Sequence, residues 1–227
     1  MPLGLSELQR RALGIMEIPV WEQPGESSPA VVEPVALTPG DDAFAGLPGE
    51  VAACTRCALH ASRTQTVFGV GDPQADWLVI GEAPGAEEDR QGEPFVGRAG
   101  RLLNEMLRAV GLGRERVYIA NILKCRPPNN RDPRPDEVAA CGSYLQRQID
   151  VIRPRIILAV GRIAAQNLLK SEQPVGRLRG RVHRYAPGDI PLVVTYHPAY
   201  LLRSPGEKRK SWDDLCLARA ALQGAAG

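Results

Sequence analysis

The sequence predicts an α/β domain built on a central four-stranded parallel sheet with helices on both faces. Four short apolar runs fit strands that are buried on both sides, because their residues are apolar without alternation. Segments with helical spacing of apolar residues lie between these runs, and such alternation is typical of parallel strands joined by helices. The 227 residues suffice for one such core and an additional segment.

The four strands are predicted from the apolar runs Leu78–Ile80, Val117–Ala120, Ile156–Val160 and Leu192–Tyr196. Between the first two, apolar residues from Leu102 to Val110 recur at nearly 3.6-residue spacing and predict a helix. Another helix begins at Pro135, since proline suits the first helical position and the two acidic residues after it favour the helix dipole. A third helix follows Gly161 and runs through Leu169.

Residues 1–50 differ from the rest of the chain in charge and composition. They carry two basic and eight acidic side chains, whereas the remainder carries 26 basic and 18 acidic ones, a net of +8. Residues 22–50 are rich in Pro, Gly, Ser and Glu, which is typical of a linker. We therefore expect a disordered or weakly helical leader over 1–50 and a folded domain over 51–227. The basic domain indicates a polyanionic partner.

The sequence has no apolar run near the roughly 18 residues of a membrane span and no signal peptide. We expect a monomer located in the cytoplasm of a bacterium, with no membrane partner. Cysteines in that reducing compartment rarely form disulfides, so the five in this chain indicate metal binding, catalysis or packing.

Four cysteines have spacing suited to a metal centre. Cys54 and Cys57 form a C-x₂-C pair, and Cys125 and Cys141 follow farther along the chain. Two close thiolates and two dispersed ones can enclose a four-iron, four-sulfur cluster or a zinc ion. Cys141 also fits the apolar face of its helix, so core packing is an alternative for it. Cys216 is interpreted as structural.

Three polar residues follow predicted strands at the edge where open parallel sheets bind ligands. Glu82 lies one residue beyond its strand, while Asn121 and His197 follow theirs directly. An acid, an amide and an imidazole are thus expected in one crevice. Singly, each has a structural alternative: a turn for Asn121, for example, or a packing role for His197. Phe95, between a proline and a glycine, fits either a stacking surface for a planar ligand or a core residue.

Taken together, the motifs resemble family 4 uracil-DNA glycosylases. The resemblance covers about Cys54 to Leu222, roughly three quarters of the chain. Its motifs, in order, are Gly81–Asp89, Pro94–Gly100, Asn121–Pro128 with Asn130–Pro133 after it, and His197–Leu202. It implies a three-layer sandwich around the parallel sheet and a monofunctional enzyme. That enzyme would hydrolyse the N-glycosidic bond of flipped-out deoxyuridine in DNA and so start base excision repair.

The resemblance also implies roles for the base pocket. Phe95 would be the platform on which uracil stacks, and Asn121 would bond the uracil edge. Glu88 would lie against uracil C5 and exclude the methyl group of thymine. His197 would stabilise negative charge on uracil O2. Glu82 would orient the water, because the aspartate of the most efficient relatives is replaced by alanine at position 83.

The remaining implied roles concern the cluster and the DNA. The resemblance assigns a structural [4Fe–4S] cluster to Cys54, Cys57, Cys125 and Cys141. Leu201 or Leu202 would fill the gap left in the duplex, with Arg203 near a phosphate. Independently of the resemblance, we expect the basic loop with Lys124, Arg126, Arg131 and Arg134 to follow the phosphate backbone.

Two other functions are consistent with the same residues. One is a superfamily relative with altered lesion preference or with binding to abasic sites. The other is a non-catalytic, polymerase-associated DNA-binding module; the presence of all the pocket residues favours an enzyme. Within the leader, residues 8–15 and Trp21 resemble, over a short stretch, the N-terminal peptide of the bacterial replicase psi subunit, which suggests a replisome protein as a partner.

Overall fold

A computed structural model describes residues 44–224. Its single six-stranded sheet has the order β1-β3-β2-β4-β6-β5. The strands are β1 (Val70–Gly71), β2 (Trp77–Gly81), β3 (Tyr118–Asn121), β4 (Ile156–Val160), β5 (Val182–Tyr185) and β6 (Ile190–Thr195). The inner four are parallel, and β1 and β5 pair antiparallel at the two edges.

Eight α-helices accompany the sheet within the described residues. They are α1 (Leu47–Ala52), α2 (Ala86–Gln91), α3 (Arg98–Ala109), α4 (Pro135–Ile152), α5 (Arg162–Leu169), α6 (Val175–Leu178), α7 (Pro198–Arg203) and α8 (Lys208–Gly224). Short 3-10 turns cover Ala58–Ala61, Arg114–Arg116, Pro128–Asn130 and Pro205–Glu207. Proline is the first residue of α4, where its missing N–H costs no hydrogen bond.

The predicted three-layer sandwich is confirmed by the way the side chains of β2 alternate. Leu78 and Ile80 pack on one face of the sheet with α4 and α5, while Trp77 and Val79 pack on the other with α3, α7 and α8. Every residue of β2, β3 and β4 is buried. A strand covered on both faces buries both sets of alternating side chains, which is why these runs are apolar throughout.

The edge strands were not predicted, and the reason lies in their sequence. β1 has only two residues. In β5 the alternate residues Val182 and Arg184 are exposed on one face of the sheet. Edge strands do not need a continuous apolar run because one side faces solvent. The four-stranded parallel sheet of the prediction is therefore the inner part of a wider sheet.

Packing of the folded domain begins before residue 51. Leu47 and Val51 of α1 are buried with Leu59, Leu123 and Tyr144 in a third apolar cluster. The predicted boundary between leader and domain thus falls inside α1. The peptide of residues 8–15 with Trp21, predicted to bind a replisome protein, lies outside the described residues. Within residues 44–224, no helix has the length and apolar character to cross a membrane.

Candidate active site and cysteine pocket

The polar residues predicted at strand ends do meet at one edge of the sheet. Asn121 is the last residue of β3, Glu82 follows β2 directly, and His197 comes two residues after β6. The chain continues the β2–β3 pairing past this edge, because the Leu123 N–H donates to the Glu82 carbonyl at 3.1 Å. We call the space bounded by Glu82, Phe95, Asn121 and His197 the strand-end crevice.

Glycine at the end of β2 gives the crevice its depth. A Cβ atom at Gly81 would lie 2.4 Å from Asn121 Oδ1 and 2.6 Å from Phe95 Cζ. Both contacts are too short for real atoms, so only glycine lets the amide and the aromatic ring close over this point. The sequence motif contained Gly81, but its role at the floor of the strand-end crevice depends on contacts with Asn121 and Phe95, which belong to two other segments.

Phe95 is held in an unfavourable backbone conformation. Its φ is +54°, a region that bulky residues rarely adopt, and its side chain is almost fully buried. Its ring centroid lies 5.7 Å from that of His197, with the planes tilted by 31°. Arg114 donates to the Pro94 carbonyl and also contacts the Phe95 carbonyl at 3.4 Å. Sequence reasoning missed Arg114, which lies in a polar turn without any motif.

Glu88 fastens the Phe95 loop to the start of α2. Its Oε1 accepts the N–H groups of Val96 at 3.0 Å and Gly97 at 3.3 Å, and its Oε2 accepts that of Gly85 at 3.1 Å. The carboxylate therefore lies beside the aromatic platform. Its neighbour Asp89 is buried instead and accepts the Thr64 N–H at 2.9 Å.

His197 is a neutral hydrogen-bond donor in this arrangement. It caps α7, because its Nδ1 accepts the Ala199 N–H at 3.1 Å, and this bond assigns the ring proton to Nε2. Burial, followed by the positive charge of Arg203, lowers the pKa of His197 to about 4, although Glu88 opposes the shift. The imidazole thus carries no charge at neutral pH.

Glu82 has the opposite electrostatic environment. Burial, followed by the negative charge of Asp132, raises the pKa of Glu82 to about 7, and Arg162 partly opposes this. Asp132 lies in the loop after β3 and Arg162 at the start of α5 after β4; the two form an ion pair at 2.5 Å. Because β2 lies between β3 and β4, this pair spans the end of the strand that carries Glu82.

The four spaced cysteines converge on a second site, the cysteine pocket. It is lined by Cys54, Cys57, Cys125 and Cys141, together with basic and aromatic side chains. Arg63 donates to Cys125 Sγ at 3.2 Å, and the Lys124 N–H donates to Cys141 Sγ at 3.3 Å. Burial raises the pKa of Cys125 and of Cys141, and Arg63 and Lys124, respectively, oppose this shift, so they favour the thiolate forms that bind metal.

The arrangement of the four thiols indicates which kind of metal centre they could hold. Among residues 44–224, no three His, Cys, Asp or Glu side chains are close enough to hold one metal ion. A zinc ion needs its ligand atoms within about 2.3 Å of a single point. Four thiols that line one pocket without such a group fit a polynuclear cluster better, because its ligands bind different iron atoms.

The predicted DNA contact of Lys124 is wrong, and of the two leucines offered to fill the gap in the duplex only Leu202 is accessible. Lys124 is 1% exposed, and its ammonium donates to the Asn121 carbonyl at 2.8 Å and to Gln148 Oε1 at 2.6 Å. Leu201 is completely buried against the sheet, whereas its neighbour Leu202 is 39% exposed. A phosphate or a base gap can be reached only by an exposed side chain, so neither Lys124 nor Leu201 contacts DNA.

The other predicted DNA contacts keep accessible side chains. Arg203 is exposed at the end of α7, and Arg126 is partly exposed and donates to Asn130 Oδ1 at 2.8 Å. Arg131 binds both carboxylate oxygens of buried Glu137 and the Asp132 carbonyl. Most of its guanidinium donors are therefore already used within the protein.

Comparisons with known proteins agree with this fold and site. Residues 68–219 match the family described as the Uracil DNA glycosylase superfamily, and the chain belongs to it. Within that superfamily it belongs with the type-4 enzymes. It is 49% identical to a type-4 uracil-DNA glycosylase of Archaeoglobus fulgidus over 69% of this chain and 81% of the relative.

Two further relatives carry the same name. The type-4 uracil-DNA glycosylase of Thermotoga maritima is 47% identical over 66% of this chain and 79% of its own length. That of Sulfurisphaera tokodaii is 42% identical over 74% and 80%, respectively. The family resemblance predicted from the motifs is confirmed.

Proposed function

We propose that this protein hydrolyses the N-glycosidic bond of deoxyuridine in DNA and so starts base excision repair. The observation that carries this proposal is the meeting of the Phe95 ring and the Asn121 amide over Gly81, opposite a neutral His197. Such a site offers a planar base a stacking surface, a hydrogen-bonding edge and a donor for an oxygen. Family membership gives the reaction its class.

Capture of the base follows from the platform and the amide. An enzyme cannot reach the glycosidic bond inside a stacked duplex, so the nucleotide is extruded at a cost of a few kcal/mol. Stacking on Phe95 recovers about 1–3 kcal/mol. The amide of Asn121 has both a donor and an acceptor and can pair with the donor and acceptor edge of uracil.

Glu88 bounds the pocket on the side of uracil C5. Its carboxylate is fixed by three backbone N–H groups next to the platform, so it cannot swing away to admit a larger base. A thymine methyl group at that place would meet the fixed carboxylate side chain. Exclusion of thymine by Glu88 is therefore part of the proposal.

His197 supplies the stabilisation that develops during bond cleavage. The departing uracil becomes an anion, and a donor aimed at its O2 acts mainly as that charge develops. The Ala199 N–H occupies Nδ1, which leaves the Nε2 proton free for uracil O2. A neutral donor also avoids the cost of burying a cation before the anion forms.

Glu82 orients the attacking water. Its pKa of about 7 means that the carboxylate form, which accepts a hydrogen bond from water, predominates only above neutral pH. The sugar develops oxocarbenium character as the base departs, so a positioned water suffices and a strong base is not required.

Cys54, Cys57, Cys125 and Cys141 would hold a [4Fe–4S] cluster. When bound, the cluster supplies covalent cross-links between the segment after α1, the loop after β3 and α4. Arg63 and the backbone of Lys124 would donate to its sulfur ligands. DNA would be contacted by Leu202, Arg203, Arg126 and, to a smaller extent, Arg131.

Incubation with oligonucleotides that contain uracil, hypoxanthine or mismatched thymine, followed by alkali, tests the proposed function. We expect strand breaks at uracil, in every case dependent on alkali. The Asn121→Ala variant is the matched control and should leave uracil in place. Intact uracil in single- and double-stranded DNA, with iron-loaded wild-type protein, would contradict the proposal.

A further inference from the structure

Lys124 is a buried cation in a place where no DNA can reach it. Every polar group of this residue is engaged: its N–H donates to Cys141 Sγ, its carbonyl accepts the Val67 N–H at 2.8 Å, and its ammonium donates to Asn121 and Gln148. So complete a set of contacts is unusual for lysine, which is rarely buried without a partner of opposite charge.

The ammonium has no carboxylate partner among residues 44–224. Its two acceptors, a backbone carbonyl and the Gln148 amide oxygen, are both neutral. A buried charge is costly unless an opposite charge compensates it. One group able to carry negative charge contacts Lys124 directly: the Cys141 thiol accepts its N–H at 3.3 Å, and both residues line the cysteine pocket.

Lys124 also fixes the peptide group that follows Asn121. The carbonyl of this peptide accepts from Lys124 Nζ at 2.8 Å, and its N–H, belonging to Ile122, donates to the Gly81 carbonyl at 3.0 Å. A peptide plane held from both sides sets the direction in which the Asn121 side chain leaves the backbone.

Contacts with α4 connect Lys124 to the cysteine pocket. Cys141 and Gln148 lie on the same face of α4, seven positions apart, and Lys124 binds the first with its backbone and the second with its side chain. Gln148 in turn donates to the Phe68 carbonyl at 3.0 Å. The short stretch from Asn121 to Cys125 is thus pinned to α4 at two points.

We propose that Lys124 is a positioning residue that couples the cysteine pocket to the strand-end crevice. It serves as the counter-cation of the four thiolates and, with the same ammonium, holds the peptide that orients Asn121. The uracil half of this inference rests on the proposed excision of uracil, and the thiolate half rests only on the proposed cluster.

The test compares Lys124→Met with Gln148→Met in the iron-loaded, full-length protein. Both variants lose buried hydrogen bonds, but only the first loses the charge. We expect Lys124→Met to release iron to a chelator about tenfold faster than wild type or more, the range typical of lost outer-shell partners. Gln148→Met should release iron at the wild-type rate. Equal release rates for Lys124→Met and wild type, or equally fast release from both variants, would overturn the proposal.

A double-mutant cycle with Asn121→Ala tests the other half through the affinity for free uracil. We expect Lys124→Met to weaken binding about tenfold in the wild-type background and to add no further loss in the Asn121→Ala background. Losses that multiply would show that the two residues act independently, and the coupling would be refuted. If Lys124→Met does not fold, Lys124→Gln carries the same two measurements. A wild-type protein that neither binds nor excises uracil refutes the proposed function, and iron release alone then decides the role of Lys124.

Discussion

The strand-end crevice and the cysteine pocket both adjoin the loop after β3, yet they are held together in different ways. The crevice collects residues from the ends of parallel strands, and the hydrogen bonds of the sheet fix their positions. The cysteine pocket collects residues from two loops, a 3-10 turn and two helices, and none of its lining residues belongs to a strand. We infer that the sheet organises the crevice, whereas the bound cluster organises the pocket. Substitutions in the two sites should therefore affect different properties.

Replacing a cysteine of the pocket should produce the largest loss of stability. We expect Cys141→Ser to lose iron and to lower the free energy of unfolding by about 4 kcal/mol or more, since loss of a metal centre is among the most damaging changes. Thermal unfolding and iron content measure both effects. Cys216→Ser, on the exposed side of α8, is the control and should match wild type. A brown, stable Cys141→Ser protein would remove the distinction between the two sites.

Replacing His197 should instead reduce the rate and leave the fold intact. Loss of one donor to a developing anion costs about 100- to 1000-fold, so His197→Ala should lose that factor in single-turnover excision. The same change also removes the cap of α7, worth about 1 kcal/mol. His197→Ser restores a capping side chain without the imidazole. It should recover the stability and not the rate; recovery of both would assign His197 a purely structural role.

Leu201 and Leu202, adjacent in α7, separate an effect on stability from an effect on excision within a single helix. Leu201→Ala should cost about 2–5 kcal/mol of stability, because it opens a cavity under the crevice. Leu202→Ala should change stability by less than about 0.5 kcal/mol, since the side chain is exposed. It should nevertheless slow excision from duplex DNA while leaving single-stranded DNA unaffected, as no base gap exists there. Equal slowing on both substrates would argue against gap filling by Leu202.

The last prediction concerns the pH dependence of excision. Burial raises the pKa of Glu82 to about 7, so its carboxylate is lost as the pH falls through that value. The single-turnover rate should drop about tenfold for each pH unit below 7. His197, with its pKa lowered to about 4, contributes no change in this range. Glu82→Gln should abolish the dependence, and Glu87→Gln, on the exposed face of α2, should preserve it. A flat wild-type profile would exclude Glu82 from the reaction.

The sequence predicted the parts of the molecule whose cause is local. Apolar runs identified the four inner strands, and Pro135 marked the first residue of α4. The polar strand ends were correctly brought together because parallel strands must align their carboxyl ends. β5 was missed, since one exposed side makes an edge strand resemble a loop.

Features that depend on contacts between distant residues could not be predicted from the sequence. Lys124 stands among arginines and prolines, which suggests an exposed basic loop, but its partner Gln148 is 24 positions away. Which of Leu201 and Leu202 faces the sheet depends on the rotation of a six-residue helix, too short to show periodicity. Arg114 and the pocket floor at Gly81 are recognised only when separate segments are brought together.

The aromatic surface at Phe95 costs the protein folding free energy. A left-handed backbone at a bulky residue costs about 1–3 kcal/mol, and glycine would relieve it. Selection for a sturdier chain and selection for excision would thus favour different residues at position 95. The aromatic ring is retained there although it lowers the stability of the fold. Because the ring is held in place beforehand, its surface is already ordered when an extruded base arrives.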